Sequence, residues 1–137
     1  MLNNIKEENI NNIIELKIPS KEKLLIIPRL IISGILSEYD VSIEKVEDIK
    51  LILNEAASLL LTVPTNNIEI LIKWEKLDKS IKLELTITSK DINEIIINNL
   101  MKSGLRIHIL NYLCNKFSID QKQHFFTIYL EKRIDLD

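Results

Sequence analysis

At 137 residues the chain is long enough for one domain with a real core and too short for several. Hydrophobic residues make up 46% and charged residues 28%, with two glycines and three prolines, a balance that excludes a disordered or low-complexity polymer. A net charge of −2 with no dense Lys/Arg block argues against direct nucleic-acid binding and against an anionic membrane surface, and a lone cysteine excludes an internal disulfide or a Cys-based zinc cage.

Residues 1–12 are polar and acidic, unlike a basic stretch followed by an apolar run, so they read as a tail and not as a signal peptide. Ile14, Leu16 and Ile18 then alternate with Glu15 and Lys17, the period-two pattern of a half-buried strand, which Pro19 and Ser20 end. From 21 to 39 apolar residues recur at Leu24, Ile27, Leu30, Ile31, Ile35 and Leu36, a helical stripe expected to face inward. Pro28 inside it lacks a donor and so kinks the helix or marks its first turn. Ser42 offers an N-cap, with Glu44, Glu47 and Asp48 near the positive end of the helix dipole, and Val46, Ile49, Leu53, Ala56 and Leu60 form a buried stripe behind it. Pro64-Thr65-Asn66-Asn67 breaks that helix.

Two strand patterns follow at 68–74 and 81–88, joined through Leu77-Asp78-Lys79-Ser80 as a hairpin. A linking region at 89–99 is expected to be partly helical. Residues 103–116 read as a further helix with Leu105, Ile109, Leu113 and Tyr112 inward, and 124–130 as a final alternating strand. The order β, α, α, β, β, (α), α, β carries no repeats and no dividing linker. It predicts one α+β domain over 13–137, a two-layer α/β sandwich with a mixed, mostly antiparallel sheet and helices on one face. The apolar patches around 24–32 and 51–63 are interrupted by Pro28, Arg29, Asn54 and Glu55 and fall short of a membrane span, so the expectation is a cytoplasmic protein.

Side chains able to carry chemistry are few. His108 and Cys114 stand six residues apart, about 240° around a helix, which spoils metal coordination. Neither has a third orienting group for nucleophilic catalysis, and His124 has no partner motif. Trp74, Phe117, Phe125, Phe126 and Tyr129 read as core or sheet-face residues.

One helix carries the clearest motif. Its sequence Glu47-Asp48-Ile49-Lys50 leads into Glu55-Ala56, and with Ile18-Pro19-Ser20, Arg29-Leu30, Ser33-Gly34, Gly104-Leu105 and the ending Tyr129-Leu130-Glu131-Lys132 it resembles the bacterial anti-sigma factor and serine-protein kinase family of the GHKL (histidine kinase-like) ATPases. The resemblance runs from about residue 13 to 132. It implies the histidine kinase-like ATPase fold, a homodimer, and binding to a sigma factor or to an anti-sigma antagonist. In that family the helix carries a Glu that activates a hydroxyl or water and, four residues later on the same face, an Asn whose oxygen binds Mg²⁺. Here Glu55 keeps its place as the candidate catalytic base, while Leu59 replaces the magnesium ligand; a hard cation needs oxygen there.

The family also places an Asp and a Gly-x-Gly pattern after the strand at 83–88, where this chain has Ser89-Lys90-Asp91-Ile92-Asn93. Asp91, two residues on, shares a strand face with Ser89 and is the candidate adenine contact. No glycine lies between Thr88 and Gly104, so the glycine-rich lid over the phosphates is missing and Gly104 alone is a candidate nucleotide contact. Glu55 reads rather as a remnant or solvated acid, and Gly104 as either a helix-entry turn or a vestigial phosphate contact. Arg29, on the helix that faces partners in this family, is the candidate partner-binding residue and otherwise belongs to a solvated face. Ile52, Leu59 and Thr62 are expected to fill the vacated cavity. The resulting expectation is an anti-sigma-factor-like regulator that binds proteins, with ATP binding, magnesium and kinase activity lost. The alternatives are an active serine-protein kinase using ATP and magnesium through divergent contacts, and a non-enzymatic assembly domain.

Overall fold

A computed structural model describes residues 12–61, 67–90, 104–122 and 124–136. Five strands form one sheet: β1 (Asn12–Pro19), β2 (Asn67–Lys76), β3 (Ser80–Ser89), β4 (Lys116–Lys122) and β5 (Phe125–Asp135). Their spatial order is β1-β2-β3-β5-β4, and every pairing in it is antiparallel, where the sequence suggested a mixed sheet. Among the described residues three helices accompany it: α1 (Ile26–Leu36), preceded by a 3-10 turn at Glu22–Leu25, then α2 (Ile43–Leu61) and α3 (Gly104–Leu113). The architecture is α+β.

The sheet has two chemically distinct faces because its strands alternate. Along β3, Ile81, Leu83, Leu85, Ile87 and Ser89 are buried, while Lys82, Glu84, Thr86 and Thr88 between them lie on the other side. The register puts Ile68, Ile70 and Ile72 of β2 and Phe126, Ile128, Leu130 and Ile134 of β5 on the same buried face. Against it pack Ile49, Ile52, Leu53, Ala56, Ala57, Leu59 and Leu60 of α2. This helix is the centre of the second layer, touching α1, α3, β3 and β5. Burial of this order, at roughly 25 cal/mol per Å² of apolar surface, is the main force holding the two layers together.

Local signals explain the helix boundaries. Ser42 caps α2 as its sequence suggested: its Oγ accepts from the Lys45 backbone N–H at 3.4 Å and its carbonyl from Val46 at 3.1 Å. Pro28 sits in the first turn of α1, where a backbone donor would have no partner within the helix. The β2–β3 hairpin closes through a Leu77 N–H to Ser80 carbonyl bond of 2.8 Å.

Four expectations are corrected. The inward stripe of α1 runs through Leu25, Pro28, Ile32, Ile35 and Leu36, and Ile27 and Leu30 face outward, Leu30 with 61% of its surface exposed. In α3, Leu110 is the buried residue, while Leu105 and Tyr112 are exposed at 76% and 85%. The helix stops at Leu113, and Lys116, expected in its last turn, begins β4. That strand is one the sequence reading lacked. The last strand is also longer than 124–130, ending at Asp135. The interior choice among many apolar residues was set by neighbours and not by periodicity. Residues 24–36 are nearly all hydrophobic, so more than one helical face fits the pattern.

The partly helical linker expected at 89–99 lies outside the described residues beyond Lys90, as do Thr62 and Asp91.

Candidate functional site: the contact between helices α2 and α3

Glu55 stands in the fourth turn of α2, on the side that meets α3 and not on the face buried against the sheet. Its Oε2 accepts from Arg106 Nε at 2.9 Å, and both side chains are partly exposed. Arg106 is the third residue of α3, two after Gly104. A cation in the first turn of a helix is disfavoured by the helix dipole, so Arg106 is held there by the facing carboxylate of Glu55. Two of the sequence candidates, Glu55 and the Gly104 end of α3, are therefore brought to one place by a residue the sequence reading did not single out. The signal was available in principle: a lone Arg after Gly104-Leu105 opens a helix without an acidic neighbour.

Four residues along α2 from Glu55, Leu59 is 1% exposed and belongs to the core cluster with Ile52. Mg²⁺ takes oxygen ligands in near-ideal octahedral geometry, and a buried isobutyl group offers none. At the position that the resemblance assigns to the metal, the residues present do not fit it. One oxygen of Glu55 is also engaged by a guanidinium. A base that must take a proton from a substrate hydroxyl needs that hydroxyl within hydrogen-bond reach, and Arg106 already occupies one side of the carboxylate.

Gly104 begins α3 in the open. A Cβ added there would meet nothing within 4 Å, so no close approach of neighbouring atoms demands glycine. Arg29 is half-buried on α1, takes no part in the Glu55–Arg106 pair, and has no ion-pair partner among the described residues. Asp91 lies outside them. Ser89, at the end of β3, has a fully buried hydroxyl without a hydrogen-bond partner among the described residues, a costly arrangement that the sequence reading passed over.

Elsewhere the titratable groups are built into the scaffold. Lys132 donates from Nζ to the Leu113 carbonyl at 2.6 Å, capping the C-terminal end of α3 with a cation. Beside it, burial pushes the Cys114 thiol up to about 11, an effect Lys132 only partly offsets. On the open face of the sheet Lys82 pairs with Glu84 at 3.3 Å, and the hydrogen bond and charge of Glu84 hold the Lys82 ammonium above its ordinary value. Burial, then the carboxylates of Glu84 and Glu131, raise the Tyr129 hydroxyl. His108 and His124 are both exposed. Among the described residues no three His, Cys, Asp or Glu side chains gather as a metal-binding group. No helix among them is long and apolar enough to cross a membrane.

Compared with known proteins, the chain matches no protein-family model and no curated sequence.

Proposed function

We propose that the chain is an anti-sigma-factor-like regulatory protein of the histidine kinase-like ATPase fold that acts by occupying a partner protein, with nucleotide binding and kinase activity lost. The observation that carries the reading is the contact of α2 with α3: the candidate base is engaged by Arg106 at 2.9 Å, and Leu59 is buried in the core at the position the resemblance gives to the metal ligand. Chemistry of the phosphoryl-transfer class depends on positioning and on cations beside the transferred group, and this α2–α3 contact offers an ion pair and hydrocarbon. Sequestration needs surface only. The element order, with β1, two helices, a hairpin, a late helix and two closing strands around one antiparallel sheet, is compatible with the fold the resemblance implies. Arg29 beside the exposed Ile26, Ile27 and Leu30 of α1 offers a mixed apolar and basic surface for a sigma factor or an anti-sigma antagonist.

The test uses the purified chain against each sigma factor and candidate antagonist of its source organism, by surface-immobilised binding, together with thermal unfolding in Mg-ATP. The reading expects saturable binding to one of these proteins, weakened by Arg29→Glu, and an unchanged melting midpoint at millimolar nucleotide. A ligand that binds only the folded state must raise that midpoint. Stabilisation by Mg-ATP would instead favour a working serine kinase, and an absence of binding across the whole panel would remove the sigma-factor reading.

A further inference from the structure

α3 is held more lightly than the helices beside it. Seven residues of α2 and four of α1 are buried, against Leu110 alone in α3, where Ile107 and Leu113 lie half-buried against the core and Leu105 and Tyr112 stand in solvent. A helix in a protein owes most of its stability to the apolar face it packs, and a segment with little such burial opens at a lower free energy than the fold as a whole. The two ends of α3 are also fastened differently. At the C-terminal end Lys132 Nζ donates to the Leu113 carbonyl at 2.6 Å, and the Cys114 N–H continues the last turn onto the Leu110 carbonyl at 3.0 Å. Asn115 is then fixed to β5 twice: its N–H donates to the Glu131 carbonyl at 2.9 Å, and its Oδ1 accepts from the Arg133 N–H at 2.7 Å. At the N-terminal end the polar fastening among the described residues is a single contact, Arg106 to Glu55 at 2.9 Å.

We propose that α3 is a hinged element that swings away from α2 about Cys114 and Asn115, where the chain is pinned to β5, and that the Glu55–Arg106 pair is the latch holding its other end down. Opening separates Leu110 from the core, carries the half-buried Cys114 into water and frees the Glu55 carboxylate. The latch suits reversible opening. Both of its side chains are partly exposed, so water replaces the lost contact at little cost, and an ion pair of that kind is weak enough to break while the sheet stays folded. The hinge suits it equally, because the hydrogen bonds of Asn115 lie beyond the end of the helix and survive when α3 moves. The same pair that closes the α2–α3 contact therefore sets how often that contact opens.

The inference does not depend on the sigma-factor reading and is tested on the full chain alone. Cys114 is the one cysteine in the sequence and reports the opening directly, through its rate of alkylation by iodoacetamide in the native protein over a urea series. A local opening exposes less surface than global unfolding, so alkylation should accelerate with urea on a slope well below that of the equilibrium transition. Glu55→Gln and Arg106→Gln should each speed alkylation about threefold at low salt, and the double variant no more than either alone, because both changes remove one interaction. High salt should bring the wild type toward the variants and leave the variants where they are. Ile32→Val, a core change on α1, lowers the melting midpoint but should not alter alkylation, since α1 stays packed when α3 alone opens. Far-UV circular dichroism establishes that each variant is folded. A urea slope equal to that of global unfolding, alkylation that rises with Ile32→Val in step with its destabilisation, single variants that react as the wild type does, or a double variant faster than both would each overturn the proposal.

Discussion

Leu59 shows how one side chain can decide what a site is able to do. Its neighbours on α2 and the sheet leave it 1% exposed, so it contributes packing where a polar residue would need a partner. Replacing it with asparagine supplies the oxygen that the proposed resemblance would call for and does so inside a hydrocarbon layer. Leu59→Asn is expected to destabilise the fold by about 3–5 kcal/mol, from lost apolar burial and an amide placed without a designed partner. Urea denaturation measures the loss, and a variant that instead became stable and gained protection from Mg-ATP would show that this place accommodates nucleotide. Cys114 makes a second point at this scale. Burial raises its thiol to about 11, so at neutral pH the reactive thiolate is scarce despite partial exposure. Alkylation by iodoacetamide at pH 8 should run well below the rate of the unfolded chain. The sign of the linkage follows: the folded state favours the protonated thiol, so this contribution is present below about 9 and is lost as pH rises toward about 11. Cys114→Ser should flatten stability over that interval.

At the scale of elements, the legible and illegible parts of the sequence divide by how much each pattern depended on tertiary neighbours. The stripe of α2, its Ser42 cap and the β2–β3 hairpin were readable because a 3.6-residue apolar period, a capping residue and a turn each fix structure locally. The face of α1 was not. Its residues are apolar nearly all round, and only the 3-10 turn before Ile26 and the position of α2 select Ile32 and Leu36 over Ile27 and Leu30. β4 escaped notice because Phe117 and Ile119 alone carry its alternation, too few to separate an edge strand from the end of a helix. In the candidate site, Glu55 and Gly104 were readable as motif positions, but their meeting required α3 to pack on α2, and Arg106 gained its role only from that contact. Gly34 offers a test at this scale. It lies within α1, and a Cβ there would touch nothing within 4 Å, so its flexibility serves no steric need in the single chain. Gly34→Ala should raise stability by about 0.5–1 kcal/mol through helix propensity, read as a shift of the thermal midpoint. A loss instead would mean that the exposed face of α1 is packed in the protein as it exists in solution.

For the whole molecule, the order β1-β2-β3-β5-β4 places the last strand in sequence inside the sheet. Among the described residues β5 is the one strand paired with β4 and the second partner of β3, and it supplies Phe126, Ile128, Leu130 and Ile134 to the core. It also anchors the helical layer: the Asp135 carbonyl accepts from Lys45 of α2 at 2.8 Å, and Lys132 caps α3. Strand pairing across such sequence distance is costly in chain entropy until the core forms, so the earlier elements gain little from assembling by themselves. A chain ending before Phe125 would leave β3 with an open edge, β4 without a partner and α2 over an incomplete sheet. Removing residues 125–137 is therefore expected to abolish cooperative unfolding entirely and not merely to lower the midpoint, whereas a cut between the two layers of a modular protein would leave part of the signal intact. Urea titration followed by tryptophan fluorescence of Trp74, far from the cut in sequence, decides the matter: Trp74 is half-buried on β2, and a sigmoidal transition in the truncated chain would show that β1, β2 and β3 with α2 fold without the strand that closes them.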